Sequence, residues 1–273
     1  MSKNNLVLQS DGLPFRSSGI WIRRKHYYLR EYAKIFTIGM GKKWRGGLTF
    51  FDFFAGPGRC LIEQTGEVVD GSPLIALQHS FNKYIFVEQT PALMEALRKR
   101  CNHSPKFSSI DFIQEDCNRC INQIIKQMPS GNLNLAFIDP TDIDIHFETI
   151  KALSNAPNGV DLLINIQDGM DLKRNYNYYL KQGKNSKLAR FLGSDFDITK
   201  LKGKEPREVI DIYKSRIREL GYKTVEHRDI PVKNTRNAQM YFLLFASKHP
   251  TGLKFWTEIS KKDEQGQQEF LYT

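Results

Sequence analysis

Short apolar runs alternate with segments of helical spacing along most of this chain, and this pattern predicts an α/β fold. Many residues of the runs are β-branched or aromatic, as is typical of strands buried on both faces of a parallel sheet. The stretches between them repeat apolar residues every three or four positions, which predicts crossover helices. Strands in alternation with helices indicate a Rossmann-like, mostly parallel sheet. The predicted strands are residues 48–54, 84–90, 111–117, 133–139 and 159–166.

Two further predicted strands, residues 224–232 and 240–246, follow a helix over residues 208–220 that Gly221 ends. Because residues 233–239 are too short for a parallel return, which needs a dozen residues or more, the two strands must pair antiparallel. The sequence therefore predicts a seven-stranded sheet with a terminal antiparallel hairpin.

The remaining patterns set the boundaries of the segments around this sheet. Residues 1–45 form an N-terminal arm followed by a basic amphipathic helix from about residue 21, and residues 46–247 form the main α/β domain. Residues 167–205 interrupt the alternation and are predicted to be a lid or substrate insertion. Residues 248–273 form a polar C-terminal tail with one helical piece around residues 253–260.

Four of the predicted strands end in an acid, at Asp52, Glu88, Asp116 and Asp139. The carboxyl ends of parallel strands meet at one edge of a sheet, where doubly wound folds bind their ligands. A carboxylate in a buried run is costly unless something satisfies it, so Asp52 either caps local backbone donors or faces a ligand. Glu88 follows Asp52 by 36 residues rather than the usual ~20, which requires an insertion around residues 61–71.

A glycine-rich turn, Phe54-Ala55-Gly56-Pro57-Gly58, follows the first of these strands. Glycine lets the backbone come close to a ligand because it has no Cβ. The pattern is neither the G-x-G-x-x-G fingerprint nor the phosphate loop. It resembles the first motif of S-adenosylmethionine (AdoMet)-dependent methyltransferases, in the form common among those that act on nucleic acids. The other interpretation is a tight strand-to-helix turn without a ligand.

This resemblance implies a cofactor site for AdoMet at the edge of the sheet. Gly56 and Gly58 would approach the methionine part of the cofactor, Glu88 would bind the ribose hydroxyls, and Asp116 would accept a hydrogen bond from the adenine amino group. The residues implied in cofactor binding are Asp52, Phe54, Ala55, Gly56, Gly58, Glu88 and Asp116.

The segment Asp139-Pro140-Thr141-Asp142, which we call the acceptor loop, follows the fourth strand. It resembles the D-P-P-[YF] motif of amino-methylating nucleic-acid enzymes, in which the Asp side chain and the first Pro carbonyl accept hydrogen bonds from an exocyclic amine. Asp139, Pro140 and Thr141 are therefore the candidate catalytic residues. Since Asp142 replaces the aromatic residue, the tyrosines between positions 176 and 179 would have to stack on a flipped or single-stranded base.

The charge of the chain favours a polyanionic partner, most simply DNA or RNA. The formal net charge is +10 and the pI is near 9.3. Residues 16–45 contain nine Lys and Arg against one acid, and residues 173–190 contain six against none. Each cluster is either a solvated helix face or a phosphate-binding surface. The candidate nucleic-acid-binding residues are Arg23, Arg24, Lys25, Lys173, Arg174, Tyr178 and Lys184.

No apolar stretch resembles a signal peptide or reaches the roughly 18 residues of a membrane span, so we expect a cytoplasmic protein without a membrane partner. Cys117 and Cys120 have the spacing of metal ligands, but no second C-x-x-C pair exists and Cys101 could supply only a third ligand. Reduced structural thiols are the other interpretation, and we predict no metal site.

Several blocks together resemble the three-Cys-motif partner protein family over about residues 20–250. The resemblance implies a methyltransferase-like fold in a bacterial protein encoded beside a cysteine-motif partner protein, without implying a substrate. Family members commonly carry Asp-Pro-Tyr-Gly where this chain has Asp139-Pro-Thr-Asp142. The blocks are Lys25-His26, Tyr32, Phe51-Asp-Phe-Phe-Ala-Gly-Pro-Gly58, Asp70-Gly-Ser-Pro-Leu-Ile-Ala-Leu77, Phe86-Val-Glu88, Phe137-Ile-Asp-Pro140 and Val160-Asp-Leu-Leu-Ile-Asn165.

Two hypotheses follow for the function. The first is an AdoMet-dependent methyltransferase that acts on nucleic acid at an exocyclic amine. The second is a methyltransferase-like subunit that binds nucleic acid or a partner protein and transfers nothing; the altered acceptor loop motivates it. A nicotinamide-dependent oxidoreductase is a third reading, which the glycine turn and the terminal hairpin disfavour.

Overall fold

The computed structural model describes residues 6–8, 11–44, 46–224, 230–233 and 239–262. Within these ranges the strands are, in chain order, β1 (Leu6–Leu8), β2 (Pro14–Ser18), β3 (Leu48–Asp52), β4 (Arg59–Ile62), β5 (Val68–Asp70), β6 (Lys83–Val87), β7 (Ile110–Ile113), β8 (Leu133–Ile138), β9 (Val160–Ile166), β10 (Lys223–Thr224), β11 (Ile230–Lys233) and β12 (Gln239–Ser247).

The helices surround these strands, mostly as crossovers. They are α1 (Ile22–Gly41), α2 (Ser72–Leu77), α3 (Pro91–Cys101), α4 (Cys117–Gln127), α5 (Phe147–Ser154), α6 (Lys173–Gln182), α7 (Lys187–Leu192), α8 (Pro206–Glu219) and α9 (Pro250–Ile259). A π-helical turn, Asp168–Leu172, joins β9 to α6. The predicted insertion at residues 167–205 therefore contains this turn, α6 and α7.

The main sheet has the order β10-β12-β9-β8-β3-β6-β7, and β11 also pairs with β12. The five strands from β9 to β7 are parallel, and β12 runs antiparallel to β9. Both β10 and β11 pair antiparallel with β12. These pairings confirm the predicted Rossmann-like, mostly parallel sheet with a terminal antiparallel strand pair.

The alternation of side chains along the strands builds a core on each face of the sheet. In β3, Phe50 packs with α1 and α2 on one face, whereas Phe51 packs with α4 and α5 on the other. All five residues of β3 are buried, as expected for a strand at the centre of a parallel sheet. The fold is a three-layer α/β/α arrangement with β3 in the middle.

A second, smaller sheet was not predicted. Its strand order is β1-β2-β4-β5, and it joins the N-terminal arm to the insertion after the glycine turn. β2 pairs parallel with β4, while β4 and β5 form an antiparallel hairpin over residues 59–70. The predicted insertion around residues 61–71 is thus this hairpin, and the arm is in part a strand pair that lies along it.

Some local predictions were wrong. The strand predicted at residues 111–117 is β7, which ends at Ile113, so Asp116 lies beyond the strand and caps α4 instead. The turn of the terminal hairpin and the end of the polar tail fall on residues 234–238 and 263–273, outside the described residues.

A search of the described helices found none with both the length and the apolar character needed to cross a membrane.

Candidate functional site

A cleft of about 980 Å³ opens where the parallel strands end. The glycine turn and the acceptor loop form two of its sides, as the rule for doubly wound sheets predicts. Residues of β2 and α1 form a third side, and α6 and α7 form the fourth. The cleft therefore brings the predicted cofactor turn and the predicted acceptor residues into one space.

Asp52 lies fully buried at the end of β3. Its Oδ1 accepts a hydrogen bond from the backbone N–H of Phe54 at 3.3 Å. Burial raises its pKa to about 7; the hydroxyl of Ser72 stabilises the ionised form in part. Oδ2 has no hydrogen-bond partner among the described residues. A buried oxygen without a partner is costly, but Asp52 is not among the residues that line the cleft, so its contact with a ligand stays a prediction.

The glycine turn has the backbone shape of a ligand cradle. Gly56 and Gly58 have φ values of +62° and +84°, in the left-handed region that favours glycine. A Cβ at Gly56 would meet nothing closer than Arg16 at 3.9 Å, so the space beside it is open to the cleft. A Cβ at Gly58 would lie 3.0 Å from Leu97, so the second glycine also serves the packing of α3.

Glu88 supports the glycine turn rather than facing the cleft. It is buried, and its two oxygens accept from the backbone N–H groups of Gly56 at 3.0 Å and Thr90 at 2.8 Å. The guanidinium of Arg16 lies 3.8 Å from Oε2. Ribose binding by Glu88 stays a prediction, and it requires Arg16 to move aside.

Asp116 is not among the residues that line the cleft. Its Oδ1 accepts from the backbone N–H of Asn118 at 2.9 Å, as a helix N-cap does. The described geometry therefore accounts for Asp116 as a cap, and its contact with adenine stays a prediction.

Asp139 is held from two sides in the acceptor loop. Its Oδ2 accepts from Lys25 Nζ of α1 at 2.5 Å, and its Oδ1 accepts from Asn165 Nδ2 of β9 at 2.5 Å. Lys25 itself is 8% exposed, and its ammonium lies 5.3 Å from the centre of the Tyr241 ring. Lys25, which the sequence suggested as a phosphate ligand on an outer face, instead points inward to the acceptor loop.

The rest of the acceptor loop is also fixed by neighbours. The Pro140 carbonyl accepts from Gln167 Nε2 at 3.0 Å, and Lys187 of α7 bonds Asp142 at 2.9 Å. The backbone N–H of Ile143 donates to Asp171 in the π-helical turn. Thr141 is exposed and lines the cleft. Such a loop is preorganised, and π-helical turns are frequent at functional sites.

The tyrosines of α6 have different environments. Tyr176 and Tyr179 are 5% exposed and belong to the core; Tyr179 also lines the cleft, but its ring is too buried to offer a face to a base. Tyr178 is 59% exposed and lines the cleft. Of the proposed stacking residues, Tyr178 alone is placed for that role within α6.

The predicted phosphate-binding residues are distributed unevenly. Arg174 lines the cleft, is exposed and makes no ion pair with any described residue. Lys173 lies 3.7 Å from Asp168, and Lys184 is exposed. Arg23 pairs with Glu67 at the surface. Arg24 is engaged by other contacts.

Two amides that complete this site were missed at the sequence level. Asn165 and Gln167 lie at the end of β9, and both are buried with a side-chain oxygen that has no partner among the described residues. A polar residue inside the apolar run Val160–Ile166 is the same anomaly that marked Asp52. The same argument applied to this run would have identified Asn165 as a candidate site residue.

The cysteines do not form a cluster of ligands. All four thiols are free, and burial raises the pKa of Cys60 and Cys120 to about 11 and that of Cys101 to about 12. Thiols with such pKa values are protonated near neutral pH. Within the described ranges, no group of three or more His, Cys, Asp or Glu residues is arranged to hold a metal ion.

No protein-family model and no curated protein matches the chain. Among solved structures, it is similar to protein LPL1258 from Legionella pneumophila, with 12% identity and a TM-score of 0.51 over 88% of this chain and 91% of that one. At this identity the likeness shows the fold alone, which agrees with the strand order described above.

Two other similar structures contain the cofactor in question. TYW2 of M. jannaschii in complex with AdoMet has 12% identity and a TM-score of 0.42, over 88% of this chain and 83% of that one. The O-methyltransferase TomG from Streptomyces achromogenes in complex with SAM has 10% identity and a TM-score of 0.47, over 82% and 80%. Both TM-scores are below 0.5, so these two superpositions carry no argument about this chain.

Proposed function

We propose that the chain is an AdoMet-dependent methyltransferase that acts on nucleic acid. One observation carries the proposal: a single cleft joins a glycine turn of methyltransferase type to an Asp-Pro acceptor loop. The turn offers what the methionine part of AdoMet needs. Asp52 has an unpartnered buried oxygen for the ammonium group, and the side of Gly56 is open.

When bound, AdoMet supplies a methyl group on a positively charged sulfur, so that transfer needs alignment and exclusion of water rather than a covalent protein intermediate. The chain's own groups provide that alignment. Asp52, Gly56 and Gly58 would hold the donor. The acceptor loop, fixed by Lys25, Asn165 and Gln167, would set the position of the nucleophile.

Nucleic acid is supported as the acceptor by charge and exposure. The net charge is +10, and Arg174 stands at the cleft without an ion-pair partner among the described residues. Tyr178 offers an exposed ring one helical turn along from Arg174. A guanidinium beside an aromatic face suits a phosphate and a stacked base. An exocyclic amine is the acceptor that the Asp-Pro motif favours.

The test is transfer of labelled methyl groups to DNA and RNA pools, single-stranded and duplex. Wild-type protein should label one pool, and Asp139→Ala should lose the labelling while it binds S-adenosylhomocysteine (AdoHcy) with wild-type affinity in calorimetry. Labelling that survives in Asp139→Ala would contradict the role of the acceptor loop. AdoHcy binding with no labelling of any pool would contradict the enzyme and favour the second candidate.

That second candidate is a methyltransferase-like subunit that binds nucleic acid or a cysteine-motif partner protein without catalysis. One observation favours it: the Asp139 oxygens and the Pro140 carbonyl already have hydrogen-bond donors within the protein. A substrate amine would therefore have to share each of these oxygens with a donor from the protein. Product formation separates the two candidates, since cofactor affinity alone is compatible with both.

A further inference from the structure

The Asp139 oxygens and the Pro140 carbonyl of the acceptor loop each already hold one donor from the protein. Lys25 donates to Asp139 Oδ2, Asn165 donates to Asp139 Oδ1, and Gln167 donates to the Pro140 carbonyl. The two contacts with Asp139 are short, at 2.5 Å, and an ionised acceptor strengthens both of them. An amine that bonded Asp139 would have to share its oxygens with a buried ammonium and an amide, so a buried acceptor that has no donor is the better partner for a substrate amine.

Gln167 supplies a free acceptor in the same cleft. It is 7% exposed and lines the cleft, and its Oε1 has no partner among the described residues. The orientation of its amide is fixed, because the Pro140 carbonyl can only accept and must therefore face Nε2. This geometry leaves Oε1 as an acceptor that a ligand N–H can satisfy.

Lys25 supplies the matching donor. An ammonium has three N–H groups, and the hydrogen bond to Asp139 uses one of them. The side chain lines the cleft, and Asp139 offsets its charge. A ligand lone pair would therefore meet a donor that lies beside a carboxylate rather than an isolated cation.

We propose that Gln167 and Lys25 read the Watson–Crick edge of an unpaired adenine or cytosine; this inference rests on the proposed function. Each of these bases carries an amino group next to a ring nitrogen with a lone pair on that edge. The amino group would donate to Gln167 Oε1, and the ring nitrogen would accept from Lys25 Nζ. Asp139 and Pro140 then position the two reading groups instead of touching the base.

Paired bases and bases that carry a carbonyl in place of the amino group should not bind to Gln167 and Lys25. In a duplex the same edge is paired with the complementary strand, so the base must be single-stranded or flipped. Hypoxanthine and uracil present a carbonyl and a ring N–H where adenine and cytosine present an amine and a lone pair. Gln167 would then face a carbonyl oxygen, which leaves two acceptors opposed.

The experiment measures binding of fluorescent 12-mer single strands by anisotropy, in the presence of AdoHcy, and transfer kinetics on the same strands. The variants are Gln167→Leu, Lys25→Met and Lys25→Arg. Matched controls are Gln123→Leu and Lys34→Met, which change exposed residues of α4 and α1 outside the cleft. Each variant is also titrated with AdoHcy by calorimetry, and its thermal unfolding is measured to confirm that it is folded.

We expect Gln167→Leu to weaken binding of single strands that contain adenine or cytosine at least tenfold and to leave AdoHcy affinity within about twofold. Lys25→Met should raise KM about tenfold, whereas Lys25→Arg should retain a donor and recover most of that loss. Wild-type protein should bind strands in which hypoxanthine and uracil replace adenine and cytosine as weakly as Gln167→Leu binds the unmodified strands.

Equal binding by Gln167→Leu and wild type, or equal binding of the substituted strands, would overturn the inference. Failure of the proposed function looks different. In that case the wild type transfers no methyl group or does not bind AdoHcy, while the oligonucleotide titrations, which need no turnover, still decide whether Gln167 and Lys25 read the base.

Discussion

Replacement of Asp52 by Asn should change the pH dependence of stability in a calculable way. Burial raises the pKa of Asp52 to about 7 from an ordinary value of 3.8. Between these values the folded protein keeps a proton that the unfolded chain has lost, so the free energy of unfolding falls as pH rises toward 7. The asparagine variant has no such proton, so its free energy of unfolding does not contain this pH-dependent decrease.

The magnitude follows from the two pKa values. Each pH unit between them costs about 1.4 kcal/mol, and the loss levels off above pH 7. From pH 5 to pH 8 the stability of Asp52→Asn relative to wild type should therefore rise by about 2–3 kcal/mol. Urea unfolding at pH 5, 6, 7 and 8 measures this difference, because titrations common to both proteins cancel in the comparison.

The same carboxylate links stability to the proposed cofactor. If its ionised form binds the ammonium group of AdoHcy, wild-type affinity should be about tenfold weaker at pH 6 than at pH 8. A stability difference that stays constant between pH 5 and pH 8 would refute the placement of a neutral, buried Asp52. An affinity that does not change with pH would refute its contact with the ligand.

Three other substitutions test separate parts of the structure. Gly56→Val should abolish AdoHcy binding in calorimetry and cost about 1–3 kcal/mol in urea unfolding, because a branched residue is strained at a φ of +62°; binding at wild-type affinity would show that the cofactor site lies elsewhere. Tyr32→Phe should cost about 1.5–3 kcal/mol at pH 7, since half-buried Asp161 loses a 2.7 Å hydrogen bond, and an unchanged urea midpoint would contradict this. Glu88→Ala should lower both AdoHcy affinity and thermal stability because it frees two backbone donors, whereas loss of affinity at unchanged stability would favour direct ribose binding.

The main sheet was predictable because its signals are local. Residues 48–54 are mostly β-branched or aromatic, so the sequence pattern alone predicts a strand buried on both faces of a parallel sheet, as β3 is. The acids at the strand ends were found from the same pattern, but Glu88 and Asp116 accept from backbone N–H groups and do not line the cleft. Asp139 and Gly56 were found in this way, and they do line one cleft.

The contacts between distant segments were not predictable. Lys25 and Asp139 are 114 residues apart, and nothing in the basic sequence around Lys25 distinguishes an inward lysine from an outward one. On a helix, Lys25 and Tyr32 lie two turns apart on one face, and the partner of Tyr32 is Asp161 of β9. That face could be recognised as polar and buried only after β9 and the acceptor loop were known to lie beneath it.

The parallel pairing of β2 with β4 was missed for a related reason. Residues 14–18 and 59–62 are short, and neither has a clean apolar alternation. Their pairing depends on the hairpin at residues 59–70, and the position of Arg16 beside Glu88 follows from it. Register over such a distance is a tertiary property that sequence periodicity does not contain.

The contact of Lys187 with the acceptor loop has a consequence for any study at varied ionic strength. Lys187 Nζ lies 2.9 Å from Asp142 and 2.7 Å from Asp144, and all three side chains are about one-third exposed. Added salt screens such a pair, just as it displaces counterions from nucleic acid. A salt titration would therefore loosen α7 and weaken phosphate binding together, and its slope would overstate the number of phosphates contacted. Lys187→Met lacks these ion pairs, so the difference between its salt slope and that of the wild type gives the part of the slope that does not come from phosphate contacts.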